Sequence, residues 1–438
     1  MNRLAYRVYR VVSSLNYWAT RRFTPAGWIV FVGLVLTGGM ATDTEQSLGY
    51  QTFALLLCLS LAAVAVAPFF RARFSAERLL PRFGSAGQSL RYTVSVRNLT
   101  KRPQFGLQIL DGLADPRPTL GEFIAMTKPT KRRKSLRLAA AQDIRRVRAI
   151  KPRPLPPLPP NREVGVEIEL VPLKRGVLHF DSVTLARPDL FMLFRAFSTV
   201  KLAGSITILP KRYALPQIAL PGSHRYQHGG VALAASIGES EEFVSLRDYR
   251  AGDPMRRIHW RSWAKVGRPV VKEFQDEFFV RHALILDTFT EPDGVAVFEE
   301  AVSVAASFAC TIDTQESLLD LLFVGPQAFC FTIGRGVAHA DQILELLASV
   351  RTCSDKPFTS LEQLVVEHSS AVSGCICIFL TWDEPRRQLV RKLNALGVPL
   401  LVLVIREKTS PPIERRADDP ESLHELEVGN IQADLAKL

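Results

Sequence analysis

Two short polar segments of this sequence carry side chains that could bind a cation or assist hydrolysis. Asp287, Thr288 and Thr290 follow one apolar run, and Thr381 and Asp383 follow another. Carboxylate and hydroxyl oxygens are the ligands that Mg²⁺ prefers in proteins, and a metal ion held by carboxylates can activate water for hydrolysis. No nucleophile or general base accompanies the two carboxylates in a recognisable pattern. These residues could hold Mg²⁺ at a degenerate site or serve a metal-assisted hydrolase, but the expectation is that no cofactor is bound and that the domain is used for protein binding.

The elements that must position these segments are five near-continuous apolar runs between residues 281 and 406. They alternate with helical segments, which is typical of a parallel sheet with helices on both faces. Ligands bind such sheets at the carboxyl ends of the strands, so the two polar segments are expected to meet there. The predicted strands are Ala283–Asp287, Leu318–Val324, Ala328–Thr332, Cys375–Leu380 and Pro399–Ile405.

A block rich in charged and aromatic residues precedes this region. Gly252-Asp253-Pro254 predicts a turn, and Trp260 and Trp263 have the spacing of a helical turn packed over a core. No serine, cysteine or carboxylate constellation surrounds His259, so no catalytic role is predicted for it. The block is either a salt-bridged connector between two domains or a docking surface for a partner. Its key residues are Glu242, Phe243, Arg247, Tyr249, Gly252, Asp253, Arg256 and Trp260.

The same block resembles a family signature. Members of the bacterial "domain of unknown function 58" family read roughly E-F-x-x-L-R-x-Y-x-x-G-D-x-x-R-x-I-x-W-x-x-x-A, and residues 242–264 follow this pattern. Two earlier segments, Lys174-Arg175-Gly176 and Asp189–Phe194, resemble further elements of the family. Leu190 and Met192 stand where the family usually has proline and glycine. Because its members are often encoded beside MoxR-type AAA+ ATPases, the resemblance implies a chaperone-like partnership with such an ATPase.

The two polar segments resemble the metal-ion-dependent adhesion site of the von Willebrand factor A domain. Asp287 matches the first acid of its D-x-S-x-S motif, but Phe289 and Glu291 stand at the two serine positions. Thr381 and Asp383 match its T-D-G element only with one residue inserted between them. A phenyl ring in place of a hydroxyl removes an oxygen ligand. The resemblance therefore implies a degenerate magnesium site in a domain that is used for protein binding.

Two charge-free apolar segments near the N terminus, Pro25–Ala41 and Tyr50–Phe70, are long enough to cross a bilayer. Five arginines and no acid precede the first segment, and three arginines follow the second. The only charged residues in the loop between the segments are the acids Asp43 and Glu45. The positive-inside rule then predicts an inner-membrane protein with both termini in the cytoplasm. The alternative is that the first segment is a cleaved signal peptide.

Charge divides the rest of the chain into a basic and an acidic part. Residues 71–235 carry 29 basic and 10 acidic side chains, whereas residues 236–438 carry 21 and 31. Short alternating segments in the basic part predict an all-β sandwich. Its insertion contains eleven basic residues within Lys128–Arg153 and a proline-rich end. This run fits anionic membrane lipids or is a solvated loop, and nucleic acid is not expected because no aromatic interleaving accompanies it.

The sequence thus predicts a membrane-anchored multidomain protein that acts as a non-catalytic adaptor or assembly factor. Its expected partners are a MoxR-type AAA+ ATPase, anionic membrane lipids and other membrane or envelope proteins. The alternative function is a metal-assisted hydrolase. The predicted parts are a basic N terminus (1–24), a hairpin of two transmembrane helices (25–70), a β-sandwich (71–235) with a basic proline-rich insertion (115–160), the signature block (236–280), a von Willebrand A-like α/β domain with a parallel sheet (281–406) and an acidic tail (407–438).

Overall fold

The computed structural model divides the chain into an N-terminal unit, Met1–Lys211, and a C-terminal unit, Arg212–Leu438. The structure describes residues 2–40, 47–66, 70, 72–114, 147, 152–216, 243–251, 253, 255, 258–274, 280–290, 294–311, 317–333 and 337–438. Most of the basic run Lys128–Arg153 lies outside these residues, as does the predicted end of the sandwich at residue 235.

The N-terminal unit begins with three helices, α1 (Asn2–Arg22), α2 (Pro25–Met40) and α3 (Ser47–Val66). Both α2 and α3 are uncharged and expose most of their apolar side chains. Among the described helices, one stretch, Leu48–Val66, is long and apolar enough to cross a membrane. The 16 residues of α2 span about 24 Å, less than the roughly 30 Å of a hydrocarbon core. The prediction of two transmembrane helices is therefore not confirmed, although one candidate span is present.

Two antiparallel-rich sheets follow, and they enclose one core. The first sheet has the order β1-β3-β6 and the second the order β2-β8-β7-β4-β5. Both contribute apolar residues to a single cluster, for example Val94 and Ile168 from the first sheet and Leu185 and Ile208 from the second. The strands are β1 (Phe74–Leu79), β2 (Phe83–Ser85), β3 (Leu90–Asn98), β4 (Gln108–Leu113), β5 (Arg153–Pro154), β6 (Glu163–Leu170), β7 (Gly176–Pro188) and β8 (Arg195–Leu209).

A buried polar network joins the two sheets of this sandwich. Arg78 of β1 donates to both carboxylate oxygens of Asp111 of β4, over 3.0 and 2.5 Å. The Tyr92 hydroxyl donates to the same carboxylate over 2.6 Å. The Arg78 and Asp111 side chains are 2% and 0% exposed, and burial raises the pKa of the Tyr92 hydroxyl far above its ordinary value. Each group satisfies the others, as polar groups in a core must.

The C-terminal unit is built on a six-stranded sheet with the order β13-β12-β11-β14-β15-β16. All pairs are parallel except β12 with β13. Because β11 lies between β12 and β14, the carboxyl ends of β11 and β14 are neighbours. The elements are β9 (Phe243–Asp248), α4 (Trp260–Val266), β10 (Val270–Phe274), β11 (Val280–Leu286), α5 (Val295–Thr311), β12 (Ser317–Val324), β13 (Ala328–Ile333), α6 (Val337–Ser349), α7 (Thr359–His368), β14 (Gly374–Phe379), α8 (Glu384–Ala395), β15 (Leu400–Arg406), β16 (Leu423–Glu427) and α9 (Ile431–Leu435).

The five predicted strands of this sheet are confirmed to within a few residues, and the inner strands β11, β14 and β15 are buried along almost their whole length. Every residue of β14 is buried, including Cys375 and Cys377. Burial raises the pKa of the Cys375 thiol to about 12 and that of Cys377 well above its ordinary value. The all-parallel prediction is wrong at one edge, where β13 follows β12 through a tight hairpin and pairs with it in the antiparallel direction.

The acidic tail predicted for residues 407–438, with at most a short helix, is instead part of the folded C-terminal unit. Residues 423–427 form β16, which pairs in parallel with β15 as the edge strand of the sheet. Leu423 and Leu426 are fully buried, and Ile431 and Leu435 of α9 are at most 1% exposed. Between the two leucines, Glu425 is half-buried and pairs with Arg406 of β15 over 3.0 Å. The tail is therefore part of the C-terminal unit's core.

Candidate functional site

The first candidate site lies at the carboxyl ends of β11 and β14. Asp287 follows β11 and is fully buried. Its carboxylate accepts hydrogen bonds from the backbone N–H of Phe289 over 2.9 Å and of Leu380 over 3.3 Å. The parallel register of β11 and β14 thus brings the two predicted polar segments together, as their positions after these strands led us to expect.

An arginine that no sequence pattern indicated lies at the carboxyl ends of these two strands. Arg386, in the first turn of α8, donates through Nε and Nη2 to Asp287 Oδ2 over 3.1 and 3.0 Å. Its Nη1 donates to Asp383 Oδ2 over 2.7 Å. The guanidinium also donates to the Phe289 carbonyl over 3.3 Å and lies 4.3 Å from the centre of the Phe358 ring. We call Arg386 with these two aspartates the arginine clamp.

The local sequence explains how Arg386 reaches this position. Asp383 is the N-cap of α8, and its side chain accepts from the Arg386 backbone N–H over 3.3 Å. Pro385 stands in the first turn, where its fixed φ favours the start of a helix. The arginine in that turn therefore points back towards the strand ends. Burial raises the pKa of the Asp287 carboxyl, and the charge of Arg386 opposes this rise.

The remaining predicted metal ligands do not form an open oxygen cage. The Thr288 hydroxyl is buried and donates to the Val324 carbonyl over 2.5 Å, so it serves the fold. Thr290 is half-buried and Thr381 is exposed. A guanidinium engages both carboxylates where Mg²⁺ would need oxygen ligands at about 2.1 Å. The residues present do not fit a magnesium ion, and Glu291 lies outside the described residues.

The polar segment between β15 and β16 covers the same carboxyl ends of the strands. Arg387 donates to the Glu414 carbonyl over 2.8 Å and lies 3.6 Å from Asp419. The Trp382 indole N–H donates to Asp419 over 3.3 Å. The Arg387 and Asp419 side chains are 6% and 4% exposed. The segment that the sequence suggested was a tail therefore covers the residues that follow β14.

The second candidate site is the signature block, which forms a hairpin that carries a short helix. Strands β9 and β10 are antiparallel, with Arg247 opposite Val271. Arg247 donates through both Nη atoms to Asp253, over 2.7 and 2.8 Å, and Asp253 also accepts from the Arg250 backbone N–H over 2.8 Å. The bond to Arg247 is the main reason why the pKa of the Asp253 carboxyl falls to about 2. Paired hydrogen bonds of this kind hold one loop geometry.

The two tryptophans of this hairpin do not cover a core, so that expectation is wrong. Trp260 is 62% exposed, and α4 contains no buried residue. The Trp260 and Trp263 rings stack with their centres 5.2 Å apart and their planes 17° apart. The buried residue beside them is Ile258, which bridges to Val271 of β10. Helical spacing of aromatics indicated the helix correctly but not the direction in which they face.

The other signature residues are described only in part. Tyr249 is half-buried, and its backbone N–H donates to the Pro269 carbonyl over 3.0 Å. Phe243 begins β9, opposite Phe274 of β10. Glu242, Gly252 and Arg256 lie outside the described residues. His259 Nδ1 lies 2.6 Å from the Ser262 hydroxyl at the start of α4, a contact within one helical turn.

Comparison with known proteins gives matches of limited extent. A Bacillus subtilis (strain 168) protein described as "Uncharacterized protein YeaD" is 26% identical over 190 residues, which cover 43% of this chain and 46% of that protein. The chain thus matches less than half the length of that relative.

Solved structures give only weak likenesses. The CARDB domain of PF1109 from Pyrococcus furiosus is 12% identical, with 31% of this chain and 94% of that domain covered and a TM-score of 0.17. An Escherichia coli alpha-2-macroglobulin fragment is 14% identical, with 35% and 22% covered and a TM-score of 0.19. Neither likeness carries an argument about function.

A family model gives the most specific match. It spans residues 245–393, which include most of the signature hairpin and four of the six strands of the large sheet. This part of the chain matches the family described as "Protein of unknown function DUF58".

Proposed function

We propose that this protein is a membrane-anchored, non-catalytic adaptor or assembly factor that works with a MoxR-type AAA+ ATPase. In this proposal its apolar N-terminal helices cross the inner membrane and both termini lie in the cytoplasm. Anionic lipids and other membrane or envelope proteins are its further partners. Residues 281–406 are a von Willebrand A-like domain in which Arg386 has taken the place of the metal ion.

The observation that carries the proposal is the stacked pair of tryptophans on the signature hairpin. A tryptophan that exposes 62% of its surface leaves a large apolar ring in water, and such rings dominate the binding energy of protein interfaces. Trp263 supports the ring of Trp260 from one side, so little side-chain freedom is lost on binding. Together these two residues form an aromatic anchor.

The residues around the anchor favour a partner with acidic groups near an apolar pocket. Arg261 and Lys265 are exposed on the same short helix, and the exposed Arg268 that follows it pairs with Asp248 over 3.1 Å. The fork between Arg247 and Asp253 holds the neighbouring loop in one conformation. Such preorganisation lowers the entropic cost of binding. These features support a docking surface more than a salt-bridged connector.

The arginine clamp argues against the alternative, a metal-assisted hydrolase. That reaction needs a cation with an open coordination position. Both carboxylates that could hold the cation are bonded to Arg386, whose side chain is 8% exposed. A buried ion pair of this kind is costly to break because the remaining charge loses its partner. The geometry therefore supports a role in binding over one in hydrolysis.

A binding titration tests the proposal. The full-length protein in lipid nanodiscs is titrated with a purified MoxR-type AAA+ ATPase of the same organism, with and without ATP. We expect saturable binding that Trp260→Ala weakens by tenfold or more, since removing an aromatic anchor typically costs about 2 kcal/mol or more.

Leu396→Ala is the matched control, because Leu396 is a large exposed side chain, 52% exposed, outside the hairpin. Binding that is equal for the wild type and both variants would refute the docking role of the hairpin. Stoichiometric metal in the purified protein would favour the hydrolase instead.

A further inference from the structure

The N-terminal unit carries an apolar surface outside its two uncharged helices. In α1, six apolar side chains recur at the spacing of one helical face, and each is 49–72% exposed. We call them the apolar stripe: Leu4, Val8, Val11, Val12, Leu15 and Trp18. At 100° per residue they fall within an arc of about 120°, the width of an amphipathic face.

Charge on α1 is of one sign and flanks the stripe. The helix contains five arginines and no acid. On a regular helix, Arg3, Arg7, Arg10 and Arg21 all project within about 80° of one edge of the stripe, whereas Arg22 projects within its arc and packs on Phe197. Long cationic side chains beside an apolar face are typical of helices that lie in the interfacial layer of a membrane with anionic lipids.

A second apolar group lies at the turn between β7 and β8. Leu190, Phe191 and Met192 are 90%, 50% and 65% exposed, and we call them the tip. Asp189 closes the turn by accepting from the backbone N–H groups of Leu193 and Phe194 over 2.9 and 3.2 Å. Met192 has a φ of 55°, a conformation in which glycine is the usual residue. The turn therefore keeps three apolar side chains exposed despite a strained backbone.

The tip is fastened to the corner where α1 ends and α2 begins. The Thr24 hydroxyl donates to the Met192 carbonyl, and the Thr24 backbone N–H donates to Leu193 over 3.1 Å. Gly27 packs so closely on Leu193 that a side chain there would lie 2.1 Å from its carbonyl oxygen. Phe23 pairs with Phe194 through a backbone bridge.

Aromatic and cationic contacts extend this fastening from α1 to β8. Trp18 of the stripe contacts Phe194, with ring centres 6.1 Å apart. The Arg22 guanidinium lies 4.9 Å from the centre of the Phe197 ring and 5.5 Å from that of Phe194. The Trp18 end of the stripe, the tip and the start of the uncharged helix α2 therefore meet at one corner.

We infer that the apolar stripe and the tip lie together in the interfacial layer of an anionic bilayer and seat the sandwich on the membrane surface. This inference rests on the membrane anchoring of the proposed function, because the corner from which both surfaces extend is the start of the proposed anchor. Continuity with the uncharged helices and the arginines beside the stripe identify lipid as the occupant. The membrane contact is thus broader than a flexible tether.

Depth-dependent quenching tests this inference on the full-length protein. The exposed Cys58, Cys310 and Cys330 are replaced by serine, and one environment-sensitive fluorophore is attached at a new cysteine. The variants are Val11→Cys in the stripe, Phe191→Cys in the tip, Leu55→Cys in α3 and Leu79→Cys on the sandwich. Each protein is reconstituted into phosphatidylcholine–phosphatidylglycerol vesicles with bromines near either the glycerol or the methyl end of the acyl chains.

We expect bromines near the glycerol end to quench the labels at positions 11 and 191, and bromines near the methyl end to quench the label at 55. The label at Leu79, which is 75% exposed on β1, should not be quenched. If the label at 55 is quenched but a label at 11 or 191 is not, the inference is overturned while the membrane anchoring of the proposed function is still supported. A label at 55 that is not quenched would overturn the anchor and the inference with it.

Discussion

The arginine clamp gives the sharpest prediction about stability, through the change Arg386→Ala. The substitution leaves Asp287 without a counter-charge at a position that is fully buried. Three direct hydrogen bonds to Asp287, of 3.0, 3.1 and 3.3 Å, disappear. The two side chains are 8% and 0% exposed, so solvent screens the pair little. Breaking a buried pair of this kind costs about 3–5 kcal/mol.

Thermal unfolding in detergent, followed by tryptophan fluorescence, measures this loss. Trp382 packs against the core cluster of the large sheet and bonds to the segment that covers its edge. For a unit of this size, 1 kcal/mol corresponds to about 2–4 °C, so Arg386→Ala should lower Tm by about 6–20 °C. The double variant Asp287→Asn with Arg386→Met should recover part of the loss because no buried charge remains.

The matched control is Arg391→Ala on the same helix. Arg391 pairs with Glu384 and Asp418 through side chains that are 42–50% exposed, and such surface pairs each contribute about 0–1 kcal/mol. If Arg386→Ala melts within 2 °C of this control, which is about the shift of a surface pair, the clamp is not a buried ion pair. Stabilisation of the wild type by Mg²⁺ would contradict the clamp in a second way.

Three further predictions concern the signature hairpin and the membrane topology. Trp260→Ala should leave Tm unchanged because the ring is exposed. Ile258→Ala, at an 8% exposed position, should lower the free energy of unfolding by about 2–5 kcal/mol. A large decrease in Tm for Trp260→Ala alone would contradict the exposure of the aromatic anchor. The pKa of Asp253 is lowered from 3.8 to about 2, so its contribution to stability is complete above its unfolded pKa and is lost as pH falls towards 2. Melting curves of Asp253→Asn should lack this acid-dependent loss, and an identical dependence in both proteins would refute the fork. A reporter fused after Leu438 should be active in the cytoplasm, and periplasmic activity would contradict the proposed topology.

Much of the C-terminal unit was predictable because a strand that is buried on both faces of a sheet needs a continuous run of apolar residues. Residues 374–379 of β14 are all buried, and no turn or charge interrupts them. The pattern fails at the edge strand β16, where polar residues separate the apolar ones. Strand β16 reads Leu-His-Glu-Leu-Glu, and its charges suggested a solvated tail. Two leucines at a spacing of three residues were the weak signal that was missed.

The arginine clamp could not be read from local sequence because its partners are distant along the chain. Asp287 and Arg386 are brought together only by the parallel pairing of β11 with β14. An arginine in the first turn of a helix usually faces solvent, so neither residue type nor spacing indicated its burial. Asp287 and Asp383 were predicted as ligands of a metal ion, and in the structure both accept hydrogen bonds from the Arg386 guanidinium.

The N-terminal helix is the opposite case, because its amphipathic pattern is present in the local sequence but only its charges were interpreted. The arginines before residue 25 were used to predict topology, and the apolar residues between them were not placed on a helix. Leu4, Val8, Val11 and Leu15 have the spacing of one helical face. Their exposure, 55–72%, depends on what surrounds the protein, and no sequence pattern specifies this.

Hydrogen exchange of the signature hairpin tests the central claim most directly. The full-length protein in nanodiscs is compared with and without a saturating MoxR-type AAA+ ATPase, and exchange is followed in peptides that cover residues 258–274. Because α4 carries no buried residue, its backbone N–H groups should exchange readily in the free protein and become protected in the complex. Bound ATPase with unchanged exchange in this hairpin would contradict the account.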